Sequence, residues 1–135
     1  MNKAFLSYKI HHATVEDVPA IRQIAVFTWW TVYPSIISAE QIGYMLDSLY
    51  NENTLTKLIL DKEQEFLLLA EDETPEAFAA YGSLEDYPDA FKLNKIYILP
   101  QKQYKGFGKA LISKVVEIAK EEGKKFIELN VNREN

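Results

Sequence analysis

The segment from Leu93 to Gly123 constrains the fold more than any other part of the chain. An apolar run typical of a β-strand, residues 96–99, meets Pro100, and a short polar loop leads through Gly108 into a long amphipathic pattern. The first turn of a helix has backbone N–H groups without intrahelical partners, and the helix dipole favours negative charge there. Glycine lets a phosphate approach the backbone closely. The segment therefore predicts a phosphate-binding site.

Three glycine patterns compete for this turn. A P-loop, GxxxxGK[ST], requires a glycine where this chain has Gln103 and a hydroxyl where it has Ala110. A dinucleotide fingerprint, GxGxxG, is met by Gly106 and Gly108 but has Leu111 in place of its third glycine. The third pattern, Gln/Arg-x-x-Gly-x-Gly/Ala, is matched in full by residues 103–108, QYKGFG.

In this third pattern and its context, the chain resembles the GNAT superfamily of N-acetyltransferases, whose acetyl-CoA pyrophosphate loop has the same pattern. Residues 93–100, LNKIYILP, look like the family's fourth strand, and residues 109–122 look like its third main helix. The resemblance implies an α/β fold with a mixed, mostly antiparallel twisted sheet flanked by helices. It also implies transfer of an acetyl group from acetyl-CoA, the co-substrate, to a primary amine by direct attack.

The composition is that of one domain over residues 1–135. Hydrophobic residues make up 47% of the chain, which is enough for a core. Cys is absent, so thiolate chemistry and Cys-zinc sites are excluded, and there is no metal-binding motif. The net charge of −5 disfavours nucleic acid as a partner. No apolar run approaches the length of a membrane span, and we expect a cytoplasmic protein.

Apolar periodicity and capping residues predict the other elements. A strand over 8–12 precedes a helix that begins near Thr14 and ends near Trp30, and further helices begin at Ser38 and Asn53. Strands follow over 66–70, 78–84 and 91–99, then the long helix and a last strand over 126–131. This is the order of the GNAT fold as far as its fifth strand.

The C-terminal residues lead to one expectation about the oligomeric state and another about the catalytic residues. Typical family members continue with an Asn-led helix that carries a Tyr, and then with two more strands; residues 132–135 look like the entry to that helix. The expectation is that a second copy of the chain covers the last strand, giving a homodimer, or that a longer protein was shortened. Because that Tyr is the general acid in many family members, we assign no catalytic residue.

The resemblance also implies which residues hold the cofactor. Backbone groups of the strand would bind the pantetheine arm as an added strand, and N–H groups of the turn would bind the pyrophosphate. The resulting set is Ile96, Tyr97, Ile98, Gln103, Tyr104, Lys105, Gly106, Phe107, Gly108 and Lys109. Lys105 and Lys109 could add positive charge to the turn, although lysines at a helix start are commonly just solvated.

An aromatic cluster at the end of the first predicted helix, Trp29, Trp30 and Tyr33, is the candidate acceptor site. In the GNAT family the loop between the first two helices often lines this site, and aromatic faces suit a cationic or apolar acceptor. The same rings fit equally well as a cap on the core. The acceptor is then an amine of a small molecule or of a protein, and a resemblance to the bacterial polyamine branch is one option.

Two other functions stay open at this point. A non-catalytic acyl-CoA-binding or regulatory domain would bind the cofactor without turnover, which a thioester assay with a panel of amines would detect. A nucleotide-phosphate binder would respond to ATP as well as to CoA. Glu85 and Asp86 are candidate general bases, although a solvated loop charge is their commoner role, and Glu128 is undecided.

Overall fold

The structure of the chain is a computed structural model that describes residues 7–129, except for the side chain at position 104. Its centre is a five-stranded sheet in the order β1–β2–β3–β4–β5. The strands are β1 (Tyr8–His12), β2 (Glu65–Glu71), β3 (Thr74–Ser83), β4 (Ala90–Ile98) and β5 (Phe126–Leu129). The first four strands pair antiparallel, and β5 joins β4 in parallel. The mixed, mostly antiparallel sheet expected from the sequence is confirmed.

Helices cover both faces of this sheet. Within residues 7–129, α1 (Val18–Val32), α2 (Ala39–Leu49) and α3 (Glu52–Leu60) pack on one face, and α4 (Phe107–Glu121) packs on the other. Successive residues of a strand point to opposite faces, so the run FLLL of β2 supplies both cores. Phe66 and Leu68 join the core under α1, and Leu67 and Leu69 join the core under α4.

Polar caps start the helices of the first face, at Thr14 and Ser38 as predicted and at Asn51, two residues before the predicted start of the third helix. A capping box at Thr14 precedes α1. The side chain of Ser38 accepts a hydrogen bond from the N–H of Gln41 over 3.1 Å at the start of α2. Asn51 does the same for the N–H of Thr54 over 2.7 Å at the start of α3. Each such cap stabilises its helix by about 1 kcal/mol.

The ends of some elements differ from the sequence predictions. The strand expected over 78–84 is β3, and it begins four residues earlier, because the turn before it consists only of Asp72 and Glu73. Both residues have positive φ angles, 50° and 70°. The short loop before the glycine motif is a 3₁₀ segment, Pro100–Lys105, and α4 begins at Phe107, two residues before the predicted start.

The last predicted strand is only partly within the described residues. β5 covers Phe126–Leu129, and residues 130 and 131, which the sequence also placed in it, lie outside. The same holds for residues 132–135. Phe126 and Leu129 of β5, the edge strand, are 66% and 53% exposed. That a second copy of the chain covers this edge stays a prediction.

Candidate active site

In the middle of β4, the regular pairing with β3 is interrupted and the pairing with β5 ends. Leu93 and Lys95 pair with consecutive residues of β3, so Asn94 forms a bulge between them. Among the described residues, the pairing of β4 with β5 also ends here, at Leu93 opposite Leu129. The half of β4 that follows the bulge therefore has β3 on one side and no described strand on the other.

The backbone of this half of β4 can receive an extended ligand. The N–H of Leu99 donates to the carbonyl oxygen of Glu76 on β3 over 3.0 Å. Because backbone groups of successive strand residues alternate in direction, the N–H groups of Ile96 and Ile98 point away from β3. They face the side where β5 has ended, as the predicted role in holding the pantetheine arm requires.

The N-terminus of α4 lies next to this edge and is open to an anion. Gly106 precedes the helix with a φ of 81°, a left-handed conformation that favours glycine. No described side chain caps α4, whereas Ser38 and Asn51 cap α2 and α3. The first N–H groups of α4 thus have no side-chain partner in this part of the chain, and the helix dipole favours a phosphate there.

The two glycines of the motif have different structural roles. A Cβ atom on Gly106 would meet nothing within 4 Å, so its backbone conformation, rather than crowding, requires glycine. A Cβ atom on Gly108 would lie 3.3 Å from Cδ1 of Ile98. The start of α4 therefore lies directly against the end of β4, which brings the predicted sites for the pyrophosphate and for the pantetheine arm together.

Lysines of the 3₁₀ segment are already paired with carboxylates. Lys105 Nζ lies 2.7 Å from Glu71 Oε2, and Lys102 Nζ lies 3.2 Å from Glu71 Oε1 and 3.3 Å from Glu76 Oε2. The hydrogen bond from Lys105 lowers the pKa of Glu71 to about 2, while burial raises the pKa of Glu76. The charge of Lys105 is therefore offset by a carboxylate that sequence reasoning did not find. Lys109 is exposed at the helix start.

The predicted acceptor residues separate into a buried and an exposed set. Trp29 is 9% exposed, and its Nε1 donates to the hydroxyl of Tyr97 over 2.8 Å. The ring of Tyr33 lies 4.5 Å from the ring of Trp29. Trp30, in contrast, is 43% exposed. Trp29 is thus part of the core, as one of the two readings of this cluster proposed, whereas Trp30 offers a ring to solvent.

Tyr97 is the centre of a hydrogen-bonded cluster that the sequence did not reveal. The hydroxyl of Tyr50, which is 3% exposed, donates to the hydroxyl of Tyr97 over 3.0 Å, and Tyr97 stacks on Phe78 at 5.1 Å. Burial raises the pKa of both tyrosines, so both hydroxyls keep their protons at neutral pH. Because Tyr97 accepts from both Trp29 and Tyr50, its own proton is left for another acceptor.

Lys95 places a partly buried cation on the same face of β4 as Tyr97. Its Nζ donates to Oε1 of Gln64 over 2.8 Å and lies 5.8 Å from the centre of the Phe66 ring. No carboxylate of the described residues forms an ion pair with it. Burial lowers the pKa of Lys95 to about 8. The face of β4 that carries the aromatic cluster therefore gains a positive charge below that pH.

We expect Lys95→Met to raise the free energy of unfolding at pH 7 by about 2–3 kcal/mol, because a shift of the lysine pKa from about 10.4 to about 8 penalises the folded protein by roughly that amount. The folded pKa lies below the unfolded one. The penalty is therefore complete below pH 8 and disappears as the pH rises towards 10.5, and the gain should disappear with it. Urea unfolding at both pH values measures this.

The matched control is Lys9→Met, since Lys9 is an exposed lysine of β1. This control should change stability little at either pH. A gain for Lys95→Met that is the same at pH 7 and pH 10.5 would contradict the assignment of the penalty to the buried charge.

Neither a metal centre nor a membrane-spanning helix occurs in the described residues. Within residues 7–129, no group of three or more His, Asp or Glu side chains could hold a metal ion. Helices of this part of the chain are all too short or too polar to cross a membrane. His11 instead lies 3.3 Å from the carboxylate of Asp17, next to the capping box.

Comparison of the sequence with known proteins gives consistent matches. A model of the acetyltransferase (GNAT) family matches residues 23–135. A spermidine N(1)-acetyltransferase from Thermoplasma acidophilum is 23% identical over 131 residues, which are 96% of this chain and 81% of that protein. The uncharacterised N-acetyltransferase YuaI of Bacillus subtilis is 24% identical over 118 residues, which are 84% of this chain and 65% of that protein.

Comparison of the fold agrees with these matches. The crystal structure of PaiA N-acetyltransferase from Thermoplasma acidophilum in complex with coenzyme A superposes with a TM-score of 0.87 at 25% sequence identity. The superposition covers 96% of this chain and 82% of that one. The resemblance to GNAT proteins that the glycine motif and its context suggested is confirmed by the sequence and by the fold.

Proposed function

The chain belongs to the acetyltransferase (GNAT) family and is an acetyl-CoA-dependent N-acetyltransferase, and we propose that its acceptor is a primary amine of a small polyamine-like molecule. Support for this acceptor comes from the similarity to a spermidine N(1)-acetyltransferase. Support for the placement of the cofactor comes from one observation above all: the glycine-led N-terminus of α4, without a described side-chain cap, lies beside the open edge of β4.

The chemistry of the proposed reaction is a direct attack. The neutral amine nitrogen attacks the carbonyl carbon of the thioester, a C–N bond forms and the C–S bond breaks. The nitrogen loses one proton as the amide forms, and the CoA thiolate takes up one. The N–H of Ile96 or Ile98 would donate to the carbonyl oxygen while negative charge develops on it. Diphosphate oxygens would accept from the first N–H groups of α4, at Phe107 to Lys109.

Charge and aromatic rings favour a cationic acceptor. The net charge of −5 attracts polycations over long range, and the exposed ring of Trp30 offers a cation–π contact.

A panel of acceptors tests the proposal. We expect turnover with spermidine, spermine and putrescine, with kcat/KM at least about tenfold above that for a lysine-containing peptide or an aminoglycoside. Released CoA can be followed with a thiol reagent, and the chain itself contains no Cys that would react. Acetyl-CoA without acceptor is the control for hydrolysis. Preference for a peptide or an aminoglycoside amine would contradict the polyamine assignment.

A further inference from the structure

Two carboxylates at the β2–β3 hairpin hold the segment that leads into α4. Glu71 contacts both Lys102 and Lys105, one with each carboxylate oxygen, and Glu76 contacts Lys102. We call these four residues the carboxylate–lysine cluster. It joins the 3₁₀ segment Pro100–Lys105 to the sheet at two points, one near the start and one at the end of the segment.

Glu76 is the buried member of this cluster. It is 6% exposed, and its Oε1 has no hydrogen-bond partner among the described residues. Its main-chain carbonyl oxygen also accepts from the N–H of Leu99, at the last step of β4 before the segment. Burial raises the pKa of Glu76, and its charged neighbours are Lys102 and Glu71, both members of the cluster.

The position of the helix start depends on these contacts. Within the segment, the N–H of Lys102 donates to the carbonyl of Leu99 over 2.8 Å, and Gln103 reaches the carbonyl of Ile98 only over 3.5 Å. Gly106 follows Lys105 directly and has a left-handed backbone conformation, which residues other than glycine rarely adopt. The ion pairs of the cluster thus hold the segment that leads directly to the first N–H groups of α4.

We propose that Glu71 and Glu76 are positioning residues for acetyl-CoA, which hold the segment 100–105 so that the N–H groups at the start of α4 meet the diphosphate in one orientation. Neither carboxylate contacts the cofactor in this role. Glu71 acts through Lys102 and Lys105, and Glu76 acts through Lys102; the carboxylates also offset the charges of these lysines, so that the backbone rather than the lysines recognises the diphosphate. The proposal rests on the placement of the diphosphate at residues 103–109.

Glu71→Gln keeps the shape of the side chain and removes its charge. We expect the Kd for CoA, measured by calorimetry, to rise about three- to tenfold, with the KM for acetyl-CoA rising equally and kcat almost unchanged. Lys102→Met should raise the Kd for CoA similarly, because it removes the lysine partner of Glu71 and Glu76. The double variant should bind CoA more weakly than either single one, because Glu71→Gln leaves the contact of Glu76 with Lys102 and Lys102→Met leaves that of Glu71 with Lys105.

A shortened acyl donor separates positioning from general damage to the fold. S-acetylpantetheine has the thioester and the pantetheine arm but no diphosphate, so Glu71→Gln should leave its kcat/KM unchanged while lowering that of acetyl-CoA. The control is Glu117→Gln, which removes the ion pair with Lys114 at 3.0 Å on α4 and should affect neither donor. Equal losses with both donors would overturn the proposal.

Two further outcomes would contradict a positioning role for Glu71 and Glu76. Tighter binding of CoA to Glu71→Gln, with a steeper dependence on salt, would show that the carboxylates compete with phosphate, and this would overturn the proposal. Unchanged affinity in both Glu71→Gln and Lys102→Met would do the same. Because CoA binding is measured without an acceptor, failure of the polyamine assignment leaves this test intact, and loss of CoA binding in Gly108→Val reports separately on the placement of the diphosphate.

Discussion

Gly108→Val will lower the affinity for CoA at least about hundredfold while the protein stays folded. The added Cβ would lie 3.3 Å from Cδ1 of Ile98, so the two methyl groups beyond it must displace Ile98 or occupy space at the start of α4, where we propose that the diphosphate binds. Ile98 can yield by a small rotation, so the cost to stability is about 1–3 kcal/mol. A diphosphate bound as proposed could not yield, because its N–H partners on α4 would be fixed in the backbone.

Gly43→Val is the matched control for this experiment. Gly43 lies within α2, and a Cβ there would meet nothing within 4 Å, so this variant should bind CoA as tightly as the parent. Gly106→Val is a poorer test, because the left-handed backbone strains any branched residue by about 1–2 kcal/mol. Unchanged CoA affinity in folded Gly108→Val, measured by calorimetry together with a melting curve, would refute the placement of the diphosphate.

Local patterns explain why the sequence predicted the strand, the turn and the helix of the cofactor loop. The strand, the turn and the helix of the cofactor loop are contiguous, from Leu93 to Gly123, and each is encoded by neighbouring residues: an apolar run, Pro100, two glycines and a helical apolar repeat. The bulge at Asn94 also had a signal, since Asn94 and Lys95 interrupt the apolar run of β4. Two adjacent polar residues inside a strand break its alternation, as a bulge does.

The contacts that the sequence did not reveal are all between distant residues. Trp29 and Tyr97 are 68 positions apart, and Tyr50 and Tyr97 are 47 apart. Glu71 is 31 and 34 positions from its two lysine partners. Such pairs are created by the order of the strands and by the packing of α1 and α2 on the sheet, and no local period encodes them. Their residue types, Tyr, Trp, Glu and Lys, also occur on many surfaces without any partner.

Because Trp29 is buried and Trp30 is exposed, the two interpretations of the aromatic cluster give a separate prediction for each tryptophan. Trp29→Ala will lower the free energy of unfolding by about 3–5 kcal/mol, because it leaves a cavity in the core under α1 and removes the donor to Tyr97. Trp30→Ala will change it by less than about 1 kcal/mol, because 43% of that residue is exposed. Urea unfolding of the two variants measures both values.

Kinetics complete the comparison, because exposure alone does not make Trp30 part of the acceptor site. If its ring contacts the cationic acceptor, Trp30→Ala will raise the KM for the amine about three- to tenfold and leave the KM for acetyl-CoA unchanged, since loss of a cation–π contact weakens binding by about 1 kcal/mol. Trp29→Phe keeps a ring in the core and loses only the N–H donor, so it isolates the hydrogen bond to Tyr97. A Trp30→Ala variant with both KM values unchanged would remove Trp30 from the acceptor site.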